Sequence, residues 1–398
     1  MKKLLIALLL VVLTFGAVAC GGGNDNTESE YKVAMITDYG DITDQSFNQT
    51  THEACKKYCE DNKIPYKYFK PSENTTADRV ASVDLAVDQG YNVVVMPGYA
   101  FAETIDQVAG KYSDVKFIAL DVAKGDLLAA HYGKAYNYDP DDEQWADYKL
   151  PSNVTTFVYR EELAGFMAGY AAVKDGYRHL GFLGGMSVPA VIRFGFGFVQ
   201  GVDKAATELN VANQVTVEYV YGGQFYGDDT IKAVMDTWYG EKGTEVVFAC
   251  GGGIYTSACD AATAANVNGK VIGVDTDQHG VITRDYGKDD LCITSAMKGL
   301  AATVNTALTD LIGGKGANWD SKYAGKITTL GLVSGTDVES NYVQLPIADA
   351  SWKLVNFTVA DYKALVKKLF DGTITVSDNT AAMPTTTVTV NDYGTIKA

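Results

Sequence analysis

Histidine is scarce. The 398-residue sequence holds four, at positions 52, 131, 179 and 279, with no HExxH or paired-ligand spacing among them. No metal site is expected from such a set. Cations are outnumbered as well: 33 Lys and Arg stand against 49 Asp and Glu, a formal net charge of −16. Nucleic-acid binding needs clustered positive charge to neutralise phosphates, so this balance argues against it. It argues equally against adhesion to anionic lipid beyond a covalent anchor. There is no GxxxxGK[ST], and no GxGxxG opening a helix, which disfavours a nucleotide-phosphate cradle. GxSxG and a Cys–His pairing signature are missing too, so no catalytic residues and no cofactor are assigned. Past the first 20 residues, no apolar run is long enough to span a bilayer.

Cysteine is sparse, six in all. Apart from Cys20 there are Cys55, Cys59, Cys250, Cys259 and Cys292, which cannot all pair within one chain. Cys55 and Cys59 fall four apart on an expected helix and could approach, although helical geometry strains such a bridge. Buried or unreactive thiols are the simpler expectation.

What is present begins with a targeting segment. Lys2 and Lys3 precede the apolar run "LLIALLLVVLTF", and "AVAC" follows at 17–20. The run is shorter than the roughly 20 residues that cross a bilayer and ends in small residues, which is the form of a signal sequence. With cysteine at the cleavage point, 1–19 reads as a lipoprotein signal peptide and Cys20 as the lipidated residue. Ala17 departs from the Leu that such sites usually carry, and a secretory signal cleaved after Ala19 is the alternative. "GGGNDNTESE" makes 20–30, after the cysteine, a polar flexible tether. The expected location is the extracytoplasmic face of the cell membrane, held by lipid.

The body is 47% hydrophobic across the whole chain count and long enough for two domains. "KVAMIT" (32–37), "PYKYFK" (65–70), "NVVVMP" (92–97) and "KFIALD" (116–121) read as strands separated by helical patterns. An acidic, aromatic insertion at 137–153 breaks the pattern. A second series follows, with strands at 179–185, 214–221, 245–253, 270–275 and 290–298 and helices between them. Such alternation argues for parallel β-α-β units in two α/β halves. The expected divisions are an N-terminal lobe at 31–155, completed by later segments from about 276–347, a second lobe at 156–275, and a helix and tail at 348–398.

One stretch does not read as packing. "TDYGDITDQSFNQ" (37–49) gathers three aspartates, a phenylalanine and an amide where the first strand stops. Open α/β sheets keep ligands at that position. The same position recurs: Asp121 ends the fourth strand, Phe248 and Gly251–Gly253 close one strand of the second half, Asp275 ends the next, and Lys298 follows "ITSAM". Each alone is weak, since an Asp after an apolar run is usually a cap or a turn former. Brought together at facing sheet edges, Asp38, Phe47, Asn48, Asp121, Phe248, Gly253, Asp275 and Lys298 would offer aromatic faces, carboxylates, an ammonium and bare backbone. That set suits a flat heterocycle carrying a hydroxylated ring. A free sugar would match the polar groups but make less use of the phenylalanines.

At these residues a resemblance emerges. "MITDYGDITDQSFNQ", "REELAGFMAGYAA", "HLGFLGGMSVPAVIRFGFGFVQG", "VFACGGG", "VIGVDTDQ" and "TSAMK" look like the signature blocks of the basic membrane protein family, in that family's order over most of 32–300. Its members are surface lipoproteins that serve ABC importers as substrate-binding components, typically for purine nucleosides. The resemblance implies a type I periplasmic-binding-protein fold, two parallel-sheet α/β domains joined by a hinge of three crossovers around a cleft. It also implies that Asp38, Phe47, Asn48 and Asp121 face the base, with Phe248 on its other side and Phe194 as the alternative ring. Gly253, Asp275 and Lys298 would then hold the ribose. The insertion at 137–153 and the tail beyond about 348 exceed the usual family length; surface decoration is the simpler reading for the insertion, an altered docking face the other.

The expected function is therefore capture of a nucleoside by domain closure and delivery to an ABC permease in the membrane, by a monomer and without catalysis. A binder of another small polar ligand, such as a sugar or a signalling furanone, is the alternative. A nucleoside-processing enzyme is the third reading; "DVAKGD" and "DTDQ" do not form the aspartate cluster such hydrolysis commonly uses.

Overall fold

The computed structural model describes residues 29–133 and 141–397. The expected leader at 1–19, Cys20 and the expected tether up to residue 28 lie outside the described residues, as do 134–140 of the acidic insertion. Strands β1 (Val33–Ile36), β2 (Tyr66–Phe69), β3 (Val93–Pro97) and β4 (Lys116–Leu120) alternate with helices α1 (Phe47–Asp61), α2 (Thr76–Asp88), α3 (Ala102–Val108) and α4 (Lys124–Tyr132). After β5 (Val154–Tyr159), helix α5 (Glu161–Asp175) carries the chain to a second sheet. There β6 (His179–Gly184), β7 (Thr216–Tyr221), β8 (Val246–Cys250), β9 (Lys270–Asp275) and β10 (Cys292–Lys298) alternate with α6 (Pro189–Glu208), α7 (Asp229–Gly240), α8 (Tyr255–Ala262) and α9 (His279–Tyr286). Helices α10 (Leu300–Leu308) and α11 (Trp319–Lys322) lead back to β11 (Lys326–Leu330). The last elements are β12 (Val343–Gln344), α12 (Val359–Phe370) and β13 (Thr389–Thr395).

The first sheet runs β11-β5-β4-β3-β1-β2 and is wholly parallel; the second runs β12-β10-β9-β8-β6-β7-β13 and is parallel except for β10–β12. Strands buried on both faces need no alternation, and "VVVMP" of β3 and "VVFAC" of β8 are buried throughout. The chain crosses between sheets three times: after β5, between β10 and β11, and between β11 and β12. This is the type I periplasmic-binding architecture.

Two features differ from the sequence reading. Strand β5 went unrecognised, because "VTTFVY" is covered on both sides, shows no alternation and follows directly on the polar insertion. From 276–347, only β11 joins the first sheet; β10 and β12 pair within the second, so the second sheet does not end at Asp275. All five body cysteines are buried free thiols.

Two relationships position the site. In each sheet the strand order reverses beside the first strand of its series, between β1 and β3 and between β6 and β8. The carboxyl ends of strands at such a switch point form a natural crevice. Helices α5 and α6, meanwhile, are locked backbone to backbone. A Cβ on Gly165 would lie 2.0 Å from the Phe194 carbonyl oxygen, and one on Gly197 would lie 2.1 Å from that of Glu162. This close approach sets the N-terminal ends of both helices, with Glu161 and Arg193, beside the crevice.

Candidate functional site

The first lip grows from the end of β1. Asp38 Oδ1 accepts hydrogen bonds from the backbone N–H groups of Tyr39 (2.6 Å) and Gly40 (2.7 Å) and from Asn48 Nδ2 (3.1 Å). Gly98, at φ +124°, leaves room for it: a Cβ there would meet Asp38 Oδ2 at 2.9 Å. Asp44 caps α1, its carboxylate accepting from the backbone of Ser46 (2.9 Å), Asn48 (2.9 Å) and Gln49 (3.0 Å). Asn48 Nδ2 also donates to Asp44 Oδ2 at 3.0 Å. Two carboxylate partners fix the orientation of this amide. Its Oδ1 is then a buried acceptor with no protein partner among the described residues.

The floor is a cluster of charges. Lys298 closes β10, with 3% of its side chain exposed. Its Nζ donates to Asp121 and lies 3.5 Å from both Glu161 Oε1 and Asp275 Oδ1. Burial alone would lower the lysine pKa, but the carboxylates of Asp121, Asp275 and Glu161 outweigh it and hold the group above its ordinary value. Burial raises Asp121 above the usual carboxylate range, with Lys298 pulling the other way. Arg193 Nε binds Glu161 Oε2 at 2.6 Å, so both cations of the cluster are committed to carboxylates. Asp121 Oδ1 has no protein partner among the described residues.

Aromatic and apolar side chains make the walls of a cavity of about 410 Å³. Phe47 enters from α1 and Phe194 from α6, with Lys298 Nζ 4.8 and 5.5 Å from their ring centroids. Tyr39, Tyr99, Phe225, Tyr226 and Val188–Val191 complete it. Seven of the eight expected site residues line this cavity: Asp38, Phe47, Asn48, Asp121, Gly253, Asp275 and Lys298.

Phe248 does not. It is fully buried in the middle of β8, with Phe194 packed edge-on against it at 5.9 Å. Only the end of that strand, Cys250 to Gly253, reaches the cavity, and the second-lobe phenylalanines that line it are Phe194 and Phe225. At Gly253 an added Cβ would come no closer than 3.7 Å to any atom, so steric need does not explain a glycine there.

The lips touch. Ser46 Oγ donates to Asp275 Oδ2 at 2.6 Å, linking the start of α1 to the end of β9. Gln278 Nε2 donates to the carbonyls of Gln45 (3.2 Å) and Gly252 (3.3 Å), and the Tyr39 hydroxyl to Met186 Sδ (3.4 Å). The cleft is held closed. Sequence reasoning missed Glu161 and Arg193 and gave no role to Ser46, Tyr39, Phe225 or Tyr226. Two signals were available: charged "REE" opening an otherwise apolar helix, and the aromatic pair in "QFYGD" between a strand and a capping aspartate.

The family model described as "ABC transporter substrate-binding protein PnrA-like" matches residues 31–345. The chain is 26% identical over 357 residues to the "ABC transporter nucleoside-binding protein BmpA" of Lactococcus lactis, covering 84% of this chain and 90% of that protein. It is 26% identical over 364 residues to "Basic membrane protein A" of Borreliella burgdorferi, covering 89% and 94%. Among solved structures, a solute-binding protein of an ABC transporter system from Aeropyrum pernix superposes with a TM-score of 0.61 at 20% identity, covering 87% of each chain. One from Conexibacter woesei gives 0.61 at 21% identity, covering 87% of this chain and 99% of that one.

Proposed function

The chain belongs to the family of PnrA-like ABC transporter substrate-binding proteins, and we propose from this that its ligand is a purine nucleoside. The observation that carries the reading is the pair of buried acceptors without protein partners among the described residues, Asn48 Oδ1 and Asp121 Oδ1, in a cavity walled by phenylalanine and tyrosine. Buried acceptors are costly unless something donates to them, and a purine base offers N–H donors on a flat, stackable ring. Asp38, Asn48 and Asp121 read the base edge. Phe47 and Phe194 are the rings beside it. Asp275 and Lys298 take the ribose hydroxyls, with the Gly253 backbone nearby. The name of the Lactococcus relative supports the ligand class.

On this reading the protein holds its ligand without transforming it and passes it to an ABC permease. It works as a monomer tethered through Cys20 to the outer face of the cell membrane. No helix among the described residues is long and apolar enough to cross a membrane. The test is calorimetric titration of residues 29–398 with adenosine, guanosine, inosine, cytidine, uridine and ribose. One-to-one binding of purine nucleosides with ribose silent is expected, and no free base should appear on prolonged incubation. Silence from every nucleoside would overturn the ligand assignment and turn the search to sugars and other polar ligands.

A further inference from the structure

We infer that residues 376–397, which lie beyond the family match at 31–345, clamp the cleft loop Gly223–Asp228 in place, with Lys397 as the latch. The segment runs along α6 and then along the outer strand of the second sheet. Gln200 exchanges two hydrogen bonds with the backbone of Ser377, each 2.9 Å. Asp203 Oδ1 accepts from the backbone of Thr387 (2.6 Å) and Val388 (3.0 Å). Strand β13 then pairs in parallel with β7 from Thr389–Thr216 to Thr395–Tyr221. It covers an edge that would otherwise present unpaired backbone groups. Glu218 of β7, with 8% of its side chain exposed, takes Asn391 Nδ2 at 3.1 Å and the Tyr393 hydroxyl.

The end of this run reaches the ligand cleft indirectly. Ile396 N–H donates to the Tyr221 carbonyl at 2.8 Å, so the pairing continues to the last residue of β7. Lys397 Nζ donates to Gln224 Oε1 at 3.0 Å and to the Asp228 carboxylate. Gln224 Nε2 in turn donates to the Tyr226 carbonyl (2.9 Å) and to Asp228 Oδ2 (3.0 Å). Backbone meets backbone here as well: a Cβ on Gly223 would fall 2.2 Å from the Lys397 carbonyl oxygen. Between these anchored points stand Phe225 and Tyr226, which line the cavity, and Tyr226 bridges to Gly253. Tyr226 is 64% exposed, so its own packing does not hold the loop. Lys397 is thus a positioning residue, acting on the ligand through Phe225 and Tyr226.

The test compares wild type, Lys397→Ala and Lys397→Arg in the full chain, by hydrogen–deuterium exchange of the unliganded protein and by calorimetric titration with inosine. The affinity arm rests on the nucleoside reading; the exchange arm does not. Lys397→Ala is expected to speed exchange at 223–228 by about tenfold, as expected when a local opening loses its restraint. It should weaken inosine roughly threefold to tenfold, the range for a partly exposed charged contact, and Lys397→Arg should restore both. In a Phe225→Ala background, Lys397→Ala should add little further loss of affinity, since one residue acts through the other. Unchanged exchange at 223–228 overturns the clamp. Faster exchange with unchanged affinity overturns its role in the cleft. If wild type ignores inosine and other nucleosides, the ligand assignment fails while the exchange arm still decides whether Lys397 holds the loop.

Discussion

Asp121 and Asp275 end corresponding strands of the two sheets, and both do so with positive φ, 59° and 64°. Both turn a carboxylate onto the single ammonium of Lys298. Left-handed backbone at a non-glycine residue costs on the order of 1–2 kcal/mol and persists where the surroundings fix it, commonly at functional sites. One buried cation therefore ties the closing edges of both lobes together. Its loss would leave Asp121, Glu161 and Asp275 facing one another. Lys298→Met is expected to destabilise the protein by about 3–5 kcal/mol at neutral pH, as measured by urea unfolding. Part of that loss should return as pH is lowered and the carboxyls protonate. An unchanged midpoint would contradict the role of Lys298 as the keystone of the cluster.

The two phenylalanines named from sequence should separate cleanly. Phe47→Ala is expected to weaken purine nucleosides by about 1–3 kcal/mol, the scale of a lost base–aromatic stack, with little effect on folding. Phe248→Ala should cost about 3–5 kcal/mol of stability through the cavity it leaves. In its folded form that variant should keep most of its nucleoside affinity. Titration and urea unfolding of both variants would reveal a reversed pattern, which would return Phe248 to the cleft.

That contrast also explains what was legible in the sequence. "NVVVMP" and "EVVFACGGG" announced strands because parallel strands buried on both faces are continuous apolar runs. Asp121 and Asp275 stood out because a carboxylate ended such a run. The same uniformity hid which residue of "EVVFAC" reaches the edge, so Phe248 was taken for a cleft residue while it lies beneath Phe194. The charges of "REE" were visible, but the roles of Glu161 and Arg193 were not, because their partners come from other segments: Lys298 lies 137 positions from Glu161. Ser46 was visible only as a helix start. In the fold Asp44 does the capping, which leaves the Ser46 hydroxyl for Asp275.

Acidity should act in opposite directions on stability and on binding. Burial pushes the Asp126 carboxyl up to about 6, against smaller opposing pulls from the Ala123 backbone and Arg193. A folded-state pKa above the unfolded value means that the native state binds the proton more tightly. This group's contribution to stability therefore grows as pH falls from above 6 towards 4, and Asp126→Asn should abolish that slope relative to wild type. Binding should follow the other sign. Asp121 accepts more strongly from a ligand when ionised, and its pKa is raised by burial, so affinity should fall on acidification sooner than an exposed carboxylate would allow. Thermal unfolding and titration across this range check both slopes.

The cleft should reject phosphorylated ligands. Asp38, Asp44, Asp121, Asp126 and Asp275 line it, while Lys298 and Arg193 are already paired with carboxylates. Placing a phosphate dianion among like charges costs several kcal/mol. Inosine monophosphate should thus bind more than about a hundredfold more weakly than inosine. Comparable affinity in side-by-side titrations would mean that a cation is free to meet the phosphate.

The Ser46–Asp275 hydrogen bond is made only when the two lips meet, so it favours the closed form over any open one. A contact present in one state and not in the other shifts the equilibrium by its own free energy. Ser46→Ala removes this bond but leaves Asp44 to cap α1, so the fold should lose little. A hydrogen bond to a charged group contributes about 1.5–3 kcal/mol, and solvent reaching the opened lips should recover part of that. Nucleoside affinity is therefore expected to drop roughly tenfold, through faster release rather than slower capture. Stopped-flow dissociation would read this directly. Asp275→Ala should lose the same closing contact and the proposed ribose acceptor together, so it should weaken nucleosides more than Ser46→Ala while affecting free bases less than nucleosides. If the two variants release nucleosides at the same rate, Asp275 closes the cleft but does not touch the sugar.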